Sequence, residues 1–461
     1  MATIPFLPGY AEKPSSQLPA GRLAALSSLA WPMATAGLPL GVLLPAIYAQ
    51  QYGVSLATLG FLFLVCRIWD AVTDPLIGAL SDRTRSRFGR RKPWIAAGAP
   101  VFGFFTFLLF FPQGEVTALS LGLALFAFYL GWTMIQIPFA AWTGEISGEY
   151  HERTRVQTFL HVSVAAALFA SLLIPTFLDQ VRPGDNALKL TAMGSFVLLS
   201  LAISVPLALR SFPEPRPGPE GPRAGLRETL RAVASDRLLL RVLASDFAVS
   251  LGQGIRASLI VFYVTFVMGR PEWGAGLYLL QFAFGIAAGP IWLKIGRRYG
   301  KHRTAVAGEV AQVVINLGLL AVTANSFGLL LALTIAQGLT QGSGNLMLRA
   351  IVADVADAKR LETGQQVTGL YFSVFSLANK AATAAAIGIA FPLIAWLGFD
   401  PKVANDPAAL AGLAAVFALG PAIAHALSAL LIFRFPLGER EHAEIAATLA
   451  RRDSIPVNHG A

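Results

Sequence analysis

Phe61-Leu-Phe-Leu-Val-Cys-Arg67-Ile-Trp-Asp70-Ala-Val-Thr-Asp74-Pro75 is the stretch on which the reading of this chain turns. Three charges stand inside an apolar run that extends over 56–80, and a helix needs about 20 apolar residues to cross a bilayer. An ionisable group at membrane depth costs about 2.5–3.5 kcal/mol on insertion scales, so it faces a bundle interior and pairs. Asp70 and Asp74 are one turn apart and share a helix face, and Arg67 lies on the same stripe. Two carboxylates and one guanidinium leave a local charge of −1, a seat for one monovalent cation. Pro75 has no N–H and frees the carbonyl of Ala71, a further oxygen ligand for a hard cation. Repulsion between the acids equally suits a proton carrier, so the spacing leaves Na⁺ and H⁺ both open.

Working outward, the whole chain has the same character. Of 461 residues 55% are hydrophobic and 13% charged, against about 25% charged in soluble domains. Mean hydropathy is +0.60. Composition excludes a water-soluble protein and a disordered one and implies an integral membrane protein. The 43 glycines and 28 prolines fit helices in a membrane. Cys66 is the single cysteine, so no intrachain disulfide forms. The net charge of +10 sits in short loops between apolar runs. That is membrane topology rather than nucleic-acid binding. Residues 1–20 lack a signal-peptide pattern, so the first apolar run reads as a retained helix.

Twelve spans are expected, at about 24–49, 56–80, 94–112, 117–142, 157–178, 190–209, 239–268, 274–293, 304–322, 327–352, 366–396 and 408–433. The runs are continuous rather than alternating, which excludes strands. The fold class is an all-α membrane protein of twelve transmembrane helices in two six-helix halves: an N-terminal bundle over 1–210, a Pro- and Arg-rich cytoplasmic linker over 211–238 with an amphipathic surface helix at about 225–237, and a C-terminal bundle over 239–461. Of 36 Lys and Arg, 27 lie in the termini and even-numbered loops, four in odd loops and five inside spans. That bias places both termini in the cytoplasm. The loop Gly78-Ala-Leu-Ser-Asp82-Arg83 through Gly89-Arg90-Arg91-Lys92 is echoed by Gly289 through Lys294, Arg297-Arg298 and Gly300-Lys301. Two such halves are the layout of the major facilitator superfamily. Asp82 among the arginines suggests a charge relay bracing two helix ends.

The remaining intramembrane polar residues extend the site. Lys380 is about ten residues from either edge of its span, too deep to snorkel, and is placed to compete with a bound ion or to pair with Asp70 or Asp74 across the halves. Thr133 and Gln136, three residues apart before Pro138, complete a polar cavity or act as interhelical glue. Asp246 and Arg256 are ten residues apart and do not meet; Asp246 is expected near the cytoplasmic interface. Arg349 is expected to pair with Asp354 or to snorkel. No Walker loop, HExxH or Cys/His metal spacing is present, and an enzyme is not expected. No cofactor is expected beyond Na⁺ or H⁺ as coupling ion.

Arg67-Ile-Trp-Asp70-Ala-Val-Thr-Asp74-Pro75-Leu-Ile-Gly78, followed by Arg83-Thr-Arg85-Ser-Arg87-Phe-Gly89-Arg90-Arg91-Lys92-Pro93-Trp94, resembles the signature of the glycoside–pentoside–hexuronide:cation symporter (melibiose permease-like) family. The likeness continues through Ile137-Pro138-Phe139, Glu152-Arg-Thr-Arg155, Ala353-Asp354-Val-Ala-Asp357 and Lys380. It implies that Asp70 and Asp74 are cation-binding acids, Thr133 a cation-site hydroxyl, and Lys380 a lysine tied to both ion and sugar. Gln136 stands where the family has a third aspartate. Ala34 replaces a sugar-binding aspartate, Ala140 and Asn345 replace sugar-facing tryptophans, and Ser376 replaces a threonine. No arginine in the first turns of the fifth span matches the family's sugar-binding one.

The resemblance and the charges together imply a secondary active transporter, with cation-coupled symport of a sugar or glycoside by alternating access. Asp70, Asp74, Thr133 and Gln136 are the cation-site candidates. Lys380 and Arg67 are the coupling candidates, and Gln136, Trp132, Asn345, Ser376 and Lys380 the substrate candidates. With the third acid missing, H⁺ is favoured over Na⁺. The partners are a small-molecule solute and the bilayer of the inner membrane, with no nucleic acid and a monomeric carrier. The alternatives are a carrier or facilitator of another amphiphilic solute such as a lysolipid, and a non-transporting membrane receptor.

Overall fold

The protein is described by a computed structural model covering residues 17–147, 149–214, 233–365 and 367–454. Among these residues all regular structure is helical. Eleven helices are long and apolar enough to cross a membrane. They are α1 (Ala20–Gln51), α2 (Leu56–Arg83), α3 (Lys92–Phe110), α4 (Ala118–Glu145), α5 (Tyr150–Val181), α6 (Asn186–Ser211), α7 (Arg237–Val267), α8 (Gly274–Tyr299), α9 (Lys301–Gly318), α11 (Thr368–Trp396) and α12 (Pro407–Ile432). The expected tenth span lies in α10 (Phe327–Thr363), a single helix of 37 residues. It falls short in apolarity, because Thr334, Gln337, Thr340, Gln341, Asn345 and Arg349 punctuate it. A last helix, α13 (Glu439–Ser454), is polar. The surface helix expected at 225–237 lies largely outside the described residues.

Hydroxyl and carboxylate caps fix several helix starts. Ser55 accepts from the Thr58 N–H, Asp185 from Leu188, Asp236 from Leu238 and Leu239, and Asp406 from Ala409. Thr117 and Ser120 form a reciprocal capping box at α4. Internal prolines, such as Pro75 and Pro138, are carried without ending their helices; neighbouring helices and side chains re-satisfy freed backbone groups in bundles of this kind. The first span, expected at about 24–49, is Ala20–Gln51, and it is not a regular α-helix throughout. A turn at Ser28–Leu29 divides α1, and Pro39–Leu43 is π-helical. Tyr263–Val267 at the end of α7 is π-helical too.

Packing repeats across the chain. α1 packs on α5 and α6, α4 on α2 and α3, and α3 on α6. In the same way α7 packs on α11 and α12, α10 on α8 and α9, and α9 on α12. The two sets meet through α2 on α11 and α5 on α8, which are each other's counterparts in that repeat. Bonds between the sets, from Gln180 to the Glu272 carbonyl and from Lys402 to the Gly53 carbonyl, lie at the end opposite the basic loops.

The charge relay at the basic loop is larger than its sequence suggested. Arg91 bridges Asp82 at 3.1 Å and Glu145 at 2.6 Å, and Arg90 also donates to Glu145 at 3.0 Å. Glu214, just past α6, accepts the backbone N–H groups of Arg90, Arg91 and Lys92 and so caps the start of α3. Lys92 returns the favour at the end of α6, donating to the carbonyls of Leu209 and Phe212. Gly89 permits this. Its φ is +102°, and a Cβ there would lie 2.0 Å from Glu214 Oε2.

Candidate functional site

The intramembrane charges converge where α2, α4 and α11 meet. Small residues bring α2 and α11 close: a Cβ on Gly60 would lie 2.9 Å from Pro392 Cδ, and one on Gly388 3.1 Å from Leu64 Cβ. That approach carries Lys380 across to α2. Its ammonium donates to Asp70 Oδ2 at 3.1 Å and to Asp74 Oδ2. Thr133, fully buried on α4, sits between the other two carboxylate oxygens, 3.0 Å from Asp70 Oδ1 and 3.2 Å from Asp74 Oδ1. Arg67 approaches Asp70 at 3.8 Å and lies 5.0 Å over the ring of Tyr129.

The charge count changes the sequence reading. Asp70, Asp74 and Arg67 alone leave −1. With Lys380 in place the four groups sum to zero, which a low-dielectric interior favours. The acids are therefore not an open anionic notch; the ammonium of Lys380 fills it. The site is also asymmetric. Asp70 is 2% exposed, whereas the Asp74 and Lys380 side chains are 19% and 24% exposed.

Gln136, a candidate for both the cation and the substrate, accepts the indole N–H of Trp132 at 2.5 Å, and no hydrogen bond joins it to either carboxylate among the described residues. The physical reason is competition. A buried indole N–H needs an acceptor, while the carboxylates already hold Lys380 and Thr133. Trp132 and Gln136 line a cavity of about 470 Å³ between α1, α4 and α5, with Met33, Phe139, Leu160 and Gln157. Gly37 shapes it: a Cβ there would touch the Trp132 ring at 3.0 Å. Thus α4 turns Thr133 to the acids and Trp132 and Gln136 to the cavity.

The remaining candidates are spread out. Asn345 pairs with Gln253 of α7 through long amide contacts of 3.3 and 3.5 Å. Ser376, one turn before Lys380, is exposed. Asp246, expected near the interface, is 1% exposed. Arg256 is apart from it as expected, bonded to Asn316 at 3.3 Å and lying 5.0 Å over Phe417. Arg349 is not on Asp354; it lies 5.8 Å over Phe372, and Asp354 takes Lys301 at 2.6 Å and His442 at 3.3 Å instead. The sequence reading missed Glu145, Glu214 and a buried pair, Glu309 of α9 with His425 of α12 at 2.6 Å. Both stand inside apolar spans and so carry the same local signal as Asp70; only their pairing is hidden, because the partners are far apart in sequence.

Comparison with known proteins agrees with this architecture. The chain is 26% identical over 403 residues to the inner membrane symporter YicJ of Escherichia coli (strain K12), spanning 84% of this chain and 85% of that one. It is 24% identical over 421 residues to the raffinose carrier protein of Pediococcus pentosaceus, spanning 86% of this chain and 65% of that one. The crystal structure of the nucleoside transporter NupG superposes with a TM-score of 0.62 at 11% identity, over 90% of this chain and 97% of that one. The major facilitator fold is thus shared, and transport proteins rather than enzymes surround the chain. A family model described as MFS/sugar transport protein matches residues 26–439, nearly the full length, and the chain belongs to that family.

Proposed function

We propose that the chain is a symporter that couples a monovalent cation to the movement of a sugar or glycoside. One observation carries the reading: Lys380 of α11 holds Asp70 and Asp74 of α2 across the two halves. A cation that takes those carboxylates releases the ammonium. Releasing it unpins α11 from α2, and the same event reaches Trp132 and Gln136 through Thr133 on α4. Ion and solute then report to each other through one helix, and the halves rock about the site between them. The basic loops support a reading with both termini in the cytoplasm and the chain in the inner membrane. The carrier acts as a monomer.

The ion we favour is H⁺. With Gln136 turned to Trp132, two carboxylates and one hydroxyl are a thin oxygen shell for Na⁺. A proton on half-open Asp74 neutralises one of the two carboxylates that hold Lys380 and loosens its hold without needing any shell. The mostly apolar cavity favours, as a second reading, an amphiphilic solute such as a lysolipid. The test is uptake of radiolabelled mono-, di- and trisaccharides and lysolipids into proteoliposomes, driven by a pH gradient or by a Na⁺ gradient alone. Saccharide accumulation on the pH gradient is expected. Accumulation on Na⁺ alone overturns the choice of ion, lysolipid accumulation alone overturns the solute class, and indifference to both gradients overturns the symport reading.

A further inference from the structure

The two walls of the central space differ in chemistry. On the side of α1, α4 and α5, none of the residues lining the cavity is charged, and beyond Trp132, Gln136, Gln157 and Thr143 they are apolar or glycine. The position in α1 that would hold a sugar-binding acid is Ala34. Midway along α7 the polar residues Gln253 and, from α10, Asn345 meet. Gly252 is taken up by α12, where a Cβ would meet Ala424 at 3.0 Å, and Gly254 by α11, where it would meet Ala386 at 2.6 Å. Gln253, between them, is therefore left on the side of α7 that faces α10. It is half-buried, as is its partner Asn345.

The pair is bonded loosely. Both contacts, 3.3 and 3.5 Å, are longer than the common amide range of about 2.7–3.2 Å. Two primary amides that bind each other weakly offer a donor and an acceptor side by side, the pattern that adjacent hydroxyls on a ring require. None of the residues lining the α1–α4–α5 cavity is a cation, and while no ion takes the acids Lys380 and Arg67 are held by Asp70 and Asp74, with Arg349 lying over Phe372.

We propose that the solute spans the gap with its hydroxyl-bearing ring on Gln253 and Asn345 and an apolar group in the α1–α4–α5 cavity, so that the chain carries uncharged glycosides with an apolar aglycone rather than sugar acids. This rests on the sugar reading above and is independent of which ion drives transport.

The test is equilibrium binding to the purified full-length protein, read by tryptophan fluorescence, with methyl glycosides, 4-nitrophenyl glycosides and 4-nitrophenyl glucuronide as probes. Burial of the aryl ring is expected to tighten binding at least about tenfold over the methyl glycoside of the same sugar. The glucuronide is expected to bind more weakly than the neutral aryl glycoside. Gln253→Ala and Asn345→Ala are expected to weaken methyl and aryl glycosides alike, each by about tenfold. Leu160→Trp, which fills the cavity, is expected to erase the aryl preference and spare the methyl glycoside. Equal affinity of wild-type protein for methyl and aryl glycosides, or tighter binding of the glucuronide, overturns the proposal and needs no variant to fold. Unchanged binding in both folded alanine variants overturns the placement of the ring. Binding of none of the glycosides overturns this proposal together with the solute class on which it rests. Binding is read in choline chloride at about pH 8, where no coupling ion fills the site, so a failure of ion coupling alone leaves these affinities as they are.

Discussion

Lys380→Met removes the ammonium and keeps the length of its stem. The Lys380–Asp70 contact is 3.1 Å, worth about 5 kcal/mol of attraction at an effective dielectric of about 20, before the cost of burying the charges. Cutting one partner from a buried ion pair destabilises by about 3–5 kcal/mol, because the other charge is left behind. Here two carboxylates are left, and the four-group site goes from neutral to −1. Any cation that binds the acids then recovers stability as RT ln(1 + [L]/Kd), about 2.7 kcal/mol at a hundred times Kd. The assay is thermal unfolding of purified wild type and variant in detergent, in NaCl or choline chloride at equal ionic strength and at about pH 6 and pH 8. The variant is expected to melt below wild type in choline at pH 8 and to regain part of the difference in Na⁺ or on acidification. Wild type, whose site Lys380 already neutralises, is expected to respond less. Whichever of Na⁺ and acid rescues better names the ion. A variant as stable as wild type in choline at pH 8, and indifferent to Na⁺ and pH, would refute the claim that Lys380 and the ion share one seat.

Other expectations follow from the same geometry. Thr133→Val keeps the volume and deletes the hydroxyl that serves both acids, and is expected to weaken ion activation of transport about three- to tenfold, read from initial rates against ion concentration. Gly37→Val drives the Trp132 ring into the cavity and is expected to erase the preference for aryl over methyl glycosides in equilibrium binding while the melting temperature of the folded protein stays near wild type. Glu214→Gln removes the charged cap on α3 and is expected to cost about 1 kcal/mol in thermal unfolding, with transport retained. Gly344→Ala places a Cβ 2.0 Å from Glu309 Oε1 and is expected to cost about 1–3 kcal/mol. Gly328→Ala in the same helix meets nothing within 4 Å and serves as the neutral control.

The parts of this site that the sequence shows are those that violate its background. A charge inside an apolar run is conspicuous, so Asp70, Asp74, Arg67 and Lys380 stand out without any knowledge of neighbours. Their meeting follows from cost alone, since buried charges need partners. What the sequence hides is choice among partners. Gln136 is equally spaced for the acids or for Trp132, and only the packed α4 decides. Glu214 sits at the head of a proline-rich stretch that reads as a solvated linker, yet it caps a helix more than a hundred residues earlier. Glu309 and His425 lie on different helices, each a lone polar residue until α9 and α12 pack. The polar composition of α10 also has a structural reason invisible locally: its Thr340, Gln341 and Asn345 side chains bond to α9, α8 and α7 rather than meeting lipid.

Solute accumulation by proteoliposomes carrying the Asp70→Asn, Asp74→Asn double variant addresses the coupling seat itself. With both carboxylates neutral the account predicts no uphill uptake on any ion gradient, while exchange of labelled for unlabelled solute down its own gradient persists. Uphill uptake at the wild-type level by that variant would contradict it.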